Sequence, residues 1–325
     1  MKERLHIAVD GGGTKTISIL FRENGEILKG FRKNFGANVW LMQGNDTLEA
    51  VSQNMVEMLN ELCSEEEWKA VQSVTFTIPG FSIKSDCLKE KLAGKLTGEF
   101  SDNEPAYWGA LGLKKGICVS AGTGAFAIAP CKEKNEEYFI AGGWGSFDDD
   151  AGGGYYVGLL AIRTLFRELE RGEYSLLSKS LMALYDVYNR KDIEWLLYED
   201  KKLGRREIAQ LSKTVAKCAA EGCEQARQIF EDCAYRLAEY AYVAYLRSMN
   251  SEDVPVVLVG GLKQAGDCLI LPFKKYLSQF SKRLIYMEPL FENYIGTVIF
   301  ALGKVGIPLT QSCFDNIEKT KENIR

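Results

Sequence analysis

The sequence predicts an α/β fold with two related domains. Segments typical of strands alternate with segments typical of helices, which favours layers of sheet and helix. A strand, a glycine-rich turn and a second strand occur twice, near residues 5–22 and again near 116–131. A third apolar strand comes much later, at 254–259, and ends in Gly260-Gly261. A chain of 325 residues is long for one core and typical of two domains.

The first domain is predicted over residues 1–114, completed by a C-terminal helical segment at about 290–325. Its apolar segments predict strands near 5–10, 15–22, 26–33 and 72–78. One helix is predicted at about 45–63, and the acidic stretch Glu65–Glu67 is interpreted as its solvated end. The charged tail from Glu318 is expected to fray.

The second domain is predicted over residues 115–289 and repeats the pattern of the first. Its predicted strands lie at 116–121, 125–131 and 137–142. They have the same order of strand, glycine-rich turn, strand and strand, which indicates internal duplication. The pattern from Tyr155 to about Asn250 is almost wholly helical. The break between the domains is placed near 114–116, just before the second hairpin.

Composition excludes several classes of protein. An apolar fraction of 46% and a charged fraction of 26% are typical of soluble globular proteins. The net charge of -4 comes without a basic stripe, which argues against nucleic acid as a partner. The longest apolar runs have only the length of strands, so no membrane partner is predicted. Nine scattered cysteines and the lack of a signal-peptide pattern predict a cytoplasmic protein with reduced thiols. The oligomeric state stays open, and a homodimer is one alternative.

The first glycine-rich turn has the chemistry of a phosphate site. Backbone N–H groups of such a turn can approach an anion closely. Asp10, at the end of the strand, is the candidate to hold Mg²⁺ through water. The string is not a Walker P-loop, because the next element is a strand and no G-x-x-x-x-G-K-[ST] occurs. The alternative is an ordinary hairpin turn that binds no phosphate. For Lys15, contact with phosphate and exposure to solvent are equally compatible with the sequence. The candidate phosphate contacts are Gly11, Gly12, Gly13, Thr14, Lys15 and Thr16.

The second hairpin contains a similar turn, formed by Gly122, Thr123 and Gly124. Together with the late Gly260-Gly261 turn, the two hairpins resemble those of the actin-like ATPase superfamily, which includes sugar kinases, heat-shock ATPases and actin. The resemblance implies two ribonuclease-H-like domains around a central nucleotide cleft. It also implies that the hairpins hold the β- and γ-phosphates of ATP with Mg²⁺, and that Gly260 and Gly261 contact the adenosine.

Four further segments narrow the resemblance. The first, at 36–41, contains an Asn-x-Trp string, and another, at 142–145, has the sequence Gly-Gly-Trp-Gly. The other two lie at 78–81 and 295–297. With these segments the chain resembles the N-acetylglucosamine kinase and BadF/BadG-type ATPase family over nearly its whole length. The resemblance implies an ATP-dependent kinase that phosphorylates a hydroxyl of an amino sugar. The residues that it implies for the sugar site are Asn38, Gly80, Gly143, Trp144, Gly145 and Asp150.

Two carboxylates are candidates for the general base. Relatives carry an Asn-Asp pair shortly before the second hairpin, and Ser101–Glu104 stands in that place here. Glu104 follows Asn103 as the aspartate follows asparagine in relatives, so Glu104 is favoured, although its extra methylene changes its reach. Asp102 is the alternative. An ordinary acidic loop is the interpretation without a catalytic role.

The loop after Trp144 departs from the family pattern. The aspartate of the family's acidic-glycine run is kept as Asp150, but the glutamate that follows it is replaced by Ala151. We interpret Asp148 and Asp149 as a solvated acidic turn, with cation binding as the alternative. Trp144 can stack on an apolar sugar face or pack the loop, and packing is favoured.

Two other functions stay open. One is an ATPase activator of a dehydratase or reductase, as in the BadF branch, whose members resemble this fold and bridge an iron–sulfur cluster with cysteines. Here only Cys118 lies near the second glycine turn, and it lies inside a strand. The other is a non-catalytic sensor of sugar or nucleotide, since two family carboxylates differ.

Overall fold

The chain folds into two compact units, each with its own sheet and core. The structure is a computed structural model that describes residues 4–13, 15–39, 47–133, 136–148, 150–199, 203–248 and 253–324. Unit 1 comprises Met1–Lys114 and Leu290–Arg325, and unit 2 comprises Lys115–Pro289. Within the described ranges, no helix has the length and apolar character needed to cross a membrane.

Each unit is built on a five-stranded mixed sheet. The strands of unit 1 are β1 (Leu5–Gly11), β2 (Thr16–Arg22), β3 (Ile27–Lys33), β4 (Val71–Thr77) and β5 (Leu96–Phe100). The strands of unit 2 are β6 (Ile117–Ala121), β7 (Ala125–Pro130), β8 (Tyr138–Gly142), β9 (Val254–Val259) and β10 (Leu284–Met287).

The two sheets have the same topology. The spatial order is β3-β2-β1-β4-β5 in unit 1 and β8-β7-β6-β9-β10 in unit 2. In both, the first three strands pair antiparallel and the last two extend the sheet by parallel pairing. The internal duplication predicted from the two hairpins is therefore confirmed.

Helices cover the sheets and connect their parallel strands. The α-helices are α1 (Leu48–Leu62), α2 (Glu65–Ala70), α3 (Asp86–Leu92), α4 (Asn103–Leu111), α5 (Gly154–Arg171), α6 (Leu176–Tyr185), α7 (Arg190–Glu194), α8 (Arg205–Ala220), α9 (Glu224–Ser248), α10 (Asp267–Phe280), α11 (Asn293–Lys304) and α12 (Gln311–Thr320). The helical character predicted from Tyr155 to about Asn250 is confirmed over the described residues between β8 and β9.

The sheet of unit 1 is buried on both faces. Ile7 and Val9 of β1 pack into the core that contains residues of α1 and α3. Ala8, on the opposite face, packs into the core that contains residues of α11 and α12. Successive residues of a strand face opposite sides, so a strand covered on both sides is apolar throughout. This explains the apolar run from Ile7 to Val9 before Asp10.

The C-terminal segment is ordered against edge strand β3, so the expectation of a frayed tail is wrong. Ile324 forms a parallel bridge with Gly30. The N–H of Ile27 donates to Thr320 Oγ1 at 2.9 Å, and Asn323 Nδ2 donates to the Ile27 carbonyl at 2.8 Å. These bonds satisfy backbone groups that an edge strand otherwise leaves unpaired.

Several short elements differ from the prediction. Glu65–Glu67 is not the end of α1 but the first turn of α2, which begins with a capping box between Ser64 and Glu67. Residues 101–104 do not form a loop throughout, because α4 begins at Asn103. The strand β5 was missed because its residues are mostly exposed and lack an apolar alternation.

Helices α4 and α11 approach each other through two glycines, and this contact leads to a stability prediction. An added Cβ on Gly296 would clash with the carbonyl oxygen of Pro105 and lie 2.8 Å from the N of Gly109. Gly296→Ala should lower the free energy of unfolding by about 2–4 kcal/mol, because two backbones must separate. The matched control is Gly303→Ala in the same helix, where nothing lies within 4 Å. It should raise stability by about 0.5–1 kcal/mol through helix propensity. Denaturant melts measure both, and equal stabilities would contradict the close approach.

Candidate functional site

The carboxyl ends of the three parallel strands of unit 1 lie at one edge of its sheet. Asp10 of β1 is opposite Thr77 of β4, and Thr77 is opposite Phe100 of β5. The N–H of Ile78 donates to the Phe100 carbonyl at 2.9 Å. The segments that follow these strands therefore meet at this edge, where open α/β sheets bind their ligands.

The first hairpin is tied to the loop that contains Asn38. Its turn is closed by the N–H of Gly12, which donates to the Lys15 carbonyl at 3.0 Å. The Gly12 carbonyl in turn accepts the N–H groups of Ala37 and Asn38, at 3.0 and 3.1 Å. The predicted phosphate turn and the predicted sugar loop are therefore held together by backbone hydrogen bonds.

The glycines at this edge have different tasks. An added Cβ on Gly11 would lie 2.8 Å from Ile78 Cγ1, so packing against the end of β4 requires glycine there. An added Cβ on Gly12 would meet only a carbonyl oxygen at 3.7 Å, so the space beside it is open. Gly13 is half-buried in the turn. Gly80 has a left-handed φ of 70°, which glycine adopts without strain.

The polar residues of the first hairpin divide into two groups. Thr16 is buried and its Oγ1 donates to the Phe35 carbonyl at 2.9 Å, so we assign its hydroxyl to holding the loop rather than to phosphate. Lys15 is exposed, and its charge lowers the pKa of Asp10. Two residues of the predicted site lie outside the described residues, namely Thr14 and Trp40.

Two carboxylates share this edge. Asp10 is the last residue but one of β1, and Asp102 immediately precedes α4. Desolvation and, to a smaller extent, the charge of Asp102 raise the pKa of Asp10, the charge of Lys15 lowers it, and the net result is a pKa of about 7. Burial also raises the pKa of Asp102. Both residues are half-buried, and repulsion between two such carboxylates is relieved by a nearby cation.

The donor set fits Mg²⁺ rather than a closed metal cage. Mg²⁺ keeps several waters and uses one or two carboxylates together with substrate phosphates. Asp10 supplies one such carboxylate, and the charge of Asp102 nearby adds to the negative potential that a cation relieves. Across the part of the chain that the structure describes, no group of three or more His, Cys, Asp or Glu could hold a metal ion.

Glu104 has a different partner. It lies in the first turn of α4, and its Oε2 is 3.6 Å from Nζ of Lys304, the last residue of α11. The Lys304 ammonium also lies 5.3 Å from the centre of the Phe100 ring. The structure thus brings Asp102 into electrostatic contact with Asp10, whereas the favoured Glu104 joins an ion pair with Lys304.

The raised pKa of Asp10 predicts a pH-dependent cost to stability in the metal-free protein. The folded state holds the Asp10 proton more tightly than the unfolded state. Protonated Asp10 therefore makes a stabilising contribution that is fully present below about pH 4. It is lost as pH rises through the folded value of about 7. Asp10→Asn removes the charge and should raise Tm by about 4–8 °C at pH 8, but by little at pH 4. Thermal melts across this range measure the difference, and a difference independent of pH would contradict it.

The same edge geometry recurs in unit 2. The second hairpin follows β6, and its turn is closed by the N–H of Gly122, which donates to the Gly124 carbonyl at 2.9 Å. Gly260 follows the parallel neighbour β9 and has a φ of 96°. An added Cβ there would clash with the carbonyl oxygen of Ala121, so only glycine allows this approach. Gly261 begins a short 3₁₀ helix, and nothing lies within 4 Å of a Cβ built on it.

The start of α5 lies directly against the second hairpin. The N–H of Gly154 donates to the Gly122 carbonyl at 2.8 Å, and the N–H of Tyr155 donates to the Thr123 carbonyl at 2.9 Å. An added Cβ on Gly153 would lie 2.6 Å from the Thr123 oxygen. The glycine run before α5 therefore allows backbone-to-backbone contact with the predicted phosphate turn.

Asp150 is buried, with 5% of its surface exposed. Its carboxylate forms an ion pair with Arg205, the first residue of α8. Its Oδ1 lies so near Gly124 that a Cβ built there would be 2.5 Å away. We therefore assign the Asp150 carboxylate to this internal pair rather than to sugar hydroxyls. Arg205 is a residue that the sequence analysis missed, because no local pattern links it to Asp150.

The loop after β8 exposes two aromatic side chains. Trp144 is 74% exposed and Phe147 is fully exposed. Gly143 and Gly145 on either side of Trp144 have left-handed φ values of 75° and 71°. The prediction that Trp144 packs the loop is wrong, because most of its indole is in contact with solvent. Stacking on a ligand remains as the alternative.

Asp148 connects the acidic turn to α9. Asp148 Oδ2 accepts a hydrogen bond from the hydroxyl of Tyr240 in α9 at 2.9 Å. Asp148 is exposed, as the solvated interpretation predicts, but its carboxylate is held by that tyrosine. Asp149 lies outside the described residues.

Sequence comparison finds relatives over almost the whole chain. N-acetylmuramic acid/N-acetylglucosamine kinase of Clostridium acetobutylicum is 26% identical over 308 residues, which cover 91% of this chain and 97% of that protein. N-acetyl-D-glucosamine kinase of Dictyostelium discoideum is 24% identical over 320 residues, which cover 93% of this chain and 99% of that protein.

The fold has a counterpart among solved structures. A Chromobacterium violaceum protein assigned as an N-acetylglucosamine kinase aligns with a TM-score of 0.68 at 20% identity, covering 93% of this chain and all of that one. This likeness confirms the predicted two-domain α/β fold. A sequence model of the BadF/BadG/BcrA/BcrD ATPase family matches residues 7–301, which is most of the chain. The chain therefore belongs to the BadF/BadG/BcrA/BcrD ATPase family.

Proposed function

We propose that this chain is an ATP-dependent kinase that phosphorylates a hydroxyl of an amino sugar of the N-acetylglucosamine type. The observation that carries the proposal is the carboxyl edge of unit 1, where a glycine hairpin, two interacting carboxylates and the Asn38 loop meet. Phosphoryl transfer needs a phosphate cradle, a metal and a group that orients or deprotonates the acceptor. The two kinases to which the chain is similar support an amino sugar as the acceptor.

The nucleotide is assigned to the glycine turns. Gly11, Gly12 and Gly13 in unit 1, and separately the second hairpin in unit 2, let a phosphate approach the backbone closely, and those N–H groups that do not close the turns would donate to its oxygens. Gly260 and Gly261 are assigned to the adenosine. When bound, Mg²⁺ neutralises negative charge on the phosphates, and Asp10 would hold it with water.

Asp102 is the proposed general base. Its raised pKa brings it closer to neutral pH, where a base is most effective. As the sugar oxygen bonds to the γ-phosphorus, its proton passes to the Asp102 carboxylate, the bond between the γ-phosphorus and the β–γ bridging oxygen breaks, and ADP leaves. Glu104 is assigned to the ion pair that joins α4 to Lys304 of α11.

Each unit carries candidate residues for the sugar. Asn38 and Gly80 come from the edge of unit 1, and Gly143, Trp144 and Gly145 come from the loop after β8 of unit 2. The exposed indole of Trp144 offers a flat apolar face to the C–H side of a sugar ring.

The iron–sulfur activator is less supported. Cys118, the cysteine closest in sequence to the second turn, is fully buried in β6, and burial raises the pKa of its thiol. A metal cluster needs a thiolate, which burial disfavours.

The test is a coupled assay of ADP release at saturating Mg²⁺ with N-acetylglucosamine, N-acetylmuramic acid, glucosamine and glucose. We expect turnover with an N-acetylated amino sugar well above the sugar-free rate. ³¹P NMR of the product then identifies the phosphorylated hydroxyl. ATP binding without sugar-dependent ADP release across the panel would reject the kinase proposal.

A further inference from the structure

A largely buried ion pair lies against the second hairpin of unit 2. Its members are Asp150, in the turn before α5, and Arg205, the first residue of α8. The Arg205 side chain is 21% exposed and that of Asp150 is 4% exposed, so water screens the pair weakly. Asp150 also contacts the hairpin itself, because its Oδ1 fills the space that a Cβ on Gly124 would need.

Close packing of α5 and α8 puts Arg205 in this position. An added Cβ on Gly158 would clash with the carbonyl oxygen of Ile208, so the two helices meet backbone to backbone. The Arg205 guanidinium then lies 5.2 Å from the centre of the Tyr155 ring. The Tyr155 N–H is the donor that reaches the second hairpin at Thr123. Arg205 thus contacts Asp150 and Tyr155. Through these two residues, the turn before α5 and α5 itself contact the hairpin.

Asp150 itself adopts a conformation that needs support. Its φ of 49° is left-handed, which is uncommon for a residue with a side chain. Its N–H donates to the Gly145 carbonyl at 2.9 Å, and its carbonyl accepts the N–H of Gly153 at 2.8 Å. A shift of Asp150 would therefore move Gly153, which lies against the hairpin.

We propose that Arg205 is a positioning residue for the nucleotide. Its ion pair with Asp150 holds the hairpin of Gly122, Thr123 and Gly124 in the shape that receives the phosphates of ATP. The proposal rests on the nucleotide-binding part of the proposed function and not on the identity of the sugar.

The first experiment measures the affinity of Arg205→Met for Mg²⁺ and a non-hydrolysable ATP analogue by calorimetry without sugar. Methionine keeps an apolar stem but removes the charge. We expect about tenfold weaker binding, and Arg205→Lys should recover part of the loss. The matched control is Arg190→Met. Arg190 forms an exposed ion pair with Glu194, and both residues are far in sequence from the two hairpins. Its affinity should equal that of the wild type.

A double variant separates positioning from folding. Arg205→Met alone leaves a buried carboxylate without its partner, which can destabilise the unit. Asp150→Asn with Arg205→Met removes both charges, and asparagine tolerates a left-handed backbone. We expect this variant to fold and still to bind the analogue about tenfold more weakly. In turnover, KM for ATP should rise by a similar factor while KM for the sugar stays unchanged.

The outcomes decide the proposal. A folded double variant that binds the analogue as tightly as the wild type would overturn it. A rise in the sugar KM equal to that in the ATP KM would also overturn it, because a general loss of structure affects both. If the wild type binds the analogue but phosphorylates no sugar of the panel, the kinase proposal fails while the positioning role of Arg205 is still decided by the binding data.

Discussion

Asp102→Asn is expected to lower kcat by about 10²–10⁴-fold, the usual cost of removing a general base. Asparagine keeps the size and hydrogen-bonding capacity of the side chain but cannot accept the proton of the sugar hydroxyl. KM for the sugar should change less, because the contact with the hydroxyl survives. Steady-state kinetics with the sugar selected by the panel measures both constants.

Glu104→Gln is the matched control in the same helical turn. Glu104 pairs with Lys304 at 3.6 Å, and both side chains are about a third exposed, so little energy depends on the pair. We expect its kcat to stay within about threefold of the wild type. A larger loss in Glu104→Gln than in Asp102→Asn would make Glu104 the base, as its place after Asn103 suggests. Near-normal kcat in both variants would exclude both carboxylates from proton transfer.

Gly12→Val is expected to weaken the binding of Mg·ATP by about 10–100-fold without unfolding the protein. The space beside Gly12 is open in the structure, with the nearest atom 3.7 Å from an added Cβ. A branched side chain can therefore be accommodated by the fold. It would occupy the space in which the proposed phosphate approaches the backbone. Calorimetry measures the affinity.

Gly12→Ala provides the graded comparison. One methyl group takes up less of the same space, so its affinity should lie between those of the wild type and Gly12→Val. Thermal melts of both variants should match the wild type within a few degrees, since no packed neighbour is displaced. Unchanged affinity in folded Gly12→Val would remove the first hairpin from phosphate binding.

The hairpins were predictable because their signals are local. The apolar strand, the turn from Gly11 and the second strand follow one another without interruption, and antiparallel neighbours pair across a short turn. The long helix α9 was equally clear, because the apolar stripe that contains Phe230, Cys233 and Leu237 is its buried face.

Short elements gave weaker signals. The strand β5 has no buried residue, and its pairing with β4 depends on backbone hydrogen bonds rather than on an apolar pattern. The capping box at Ser64 is visible in the sequence, since Glu67 stands three residues later, and it identifies α2. The order of the tail against β3 could not be predicted, because it depends on pairing between the two ends of the chain.

By itself, the sequence determined the α/β class, the duplicated hairpins, the glycine turns and the set of candidate carboxylates, because each depends on neighbouring residues. Tertiary structure decided which of these groups interact. It brought Asp102 near Asp10 through the parallel order of β1, β4 and β5, and it paired Glu104 with Lys304. It also buried Asp150 against Arg205 through the close approach of α5 and α8. These contacts join residues far apart in the chain, and their charge and burial are set by packing that no local pattern encodes.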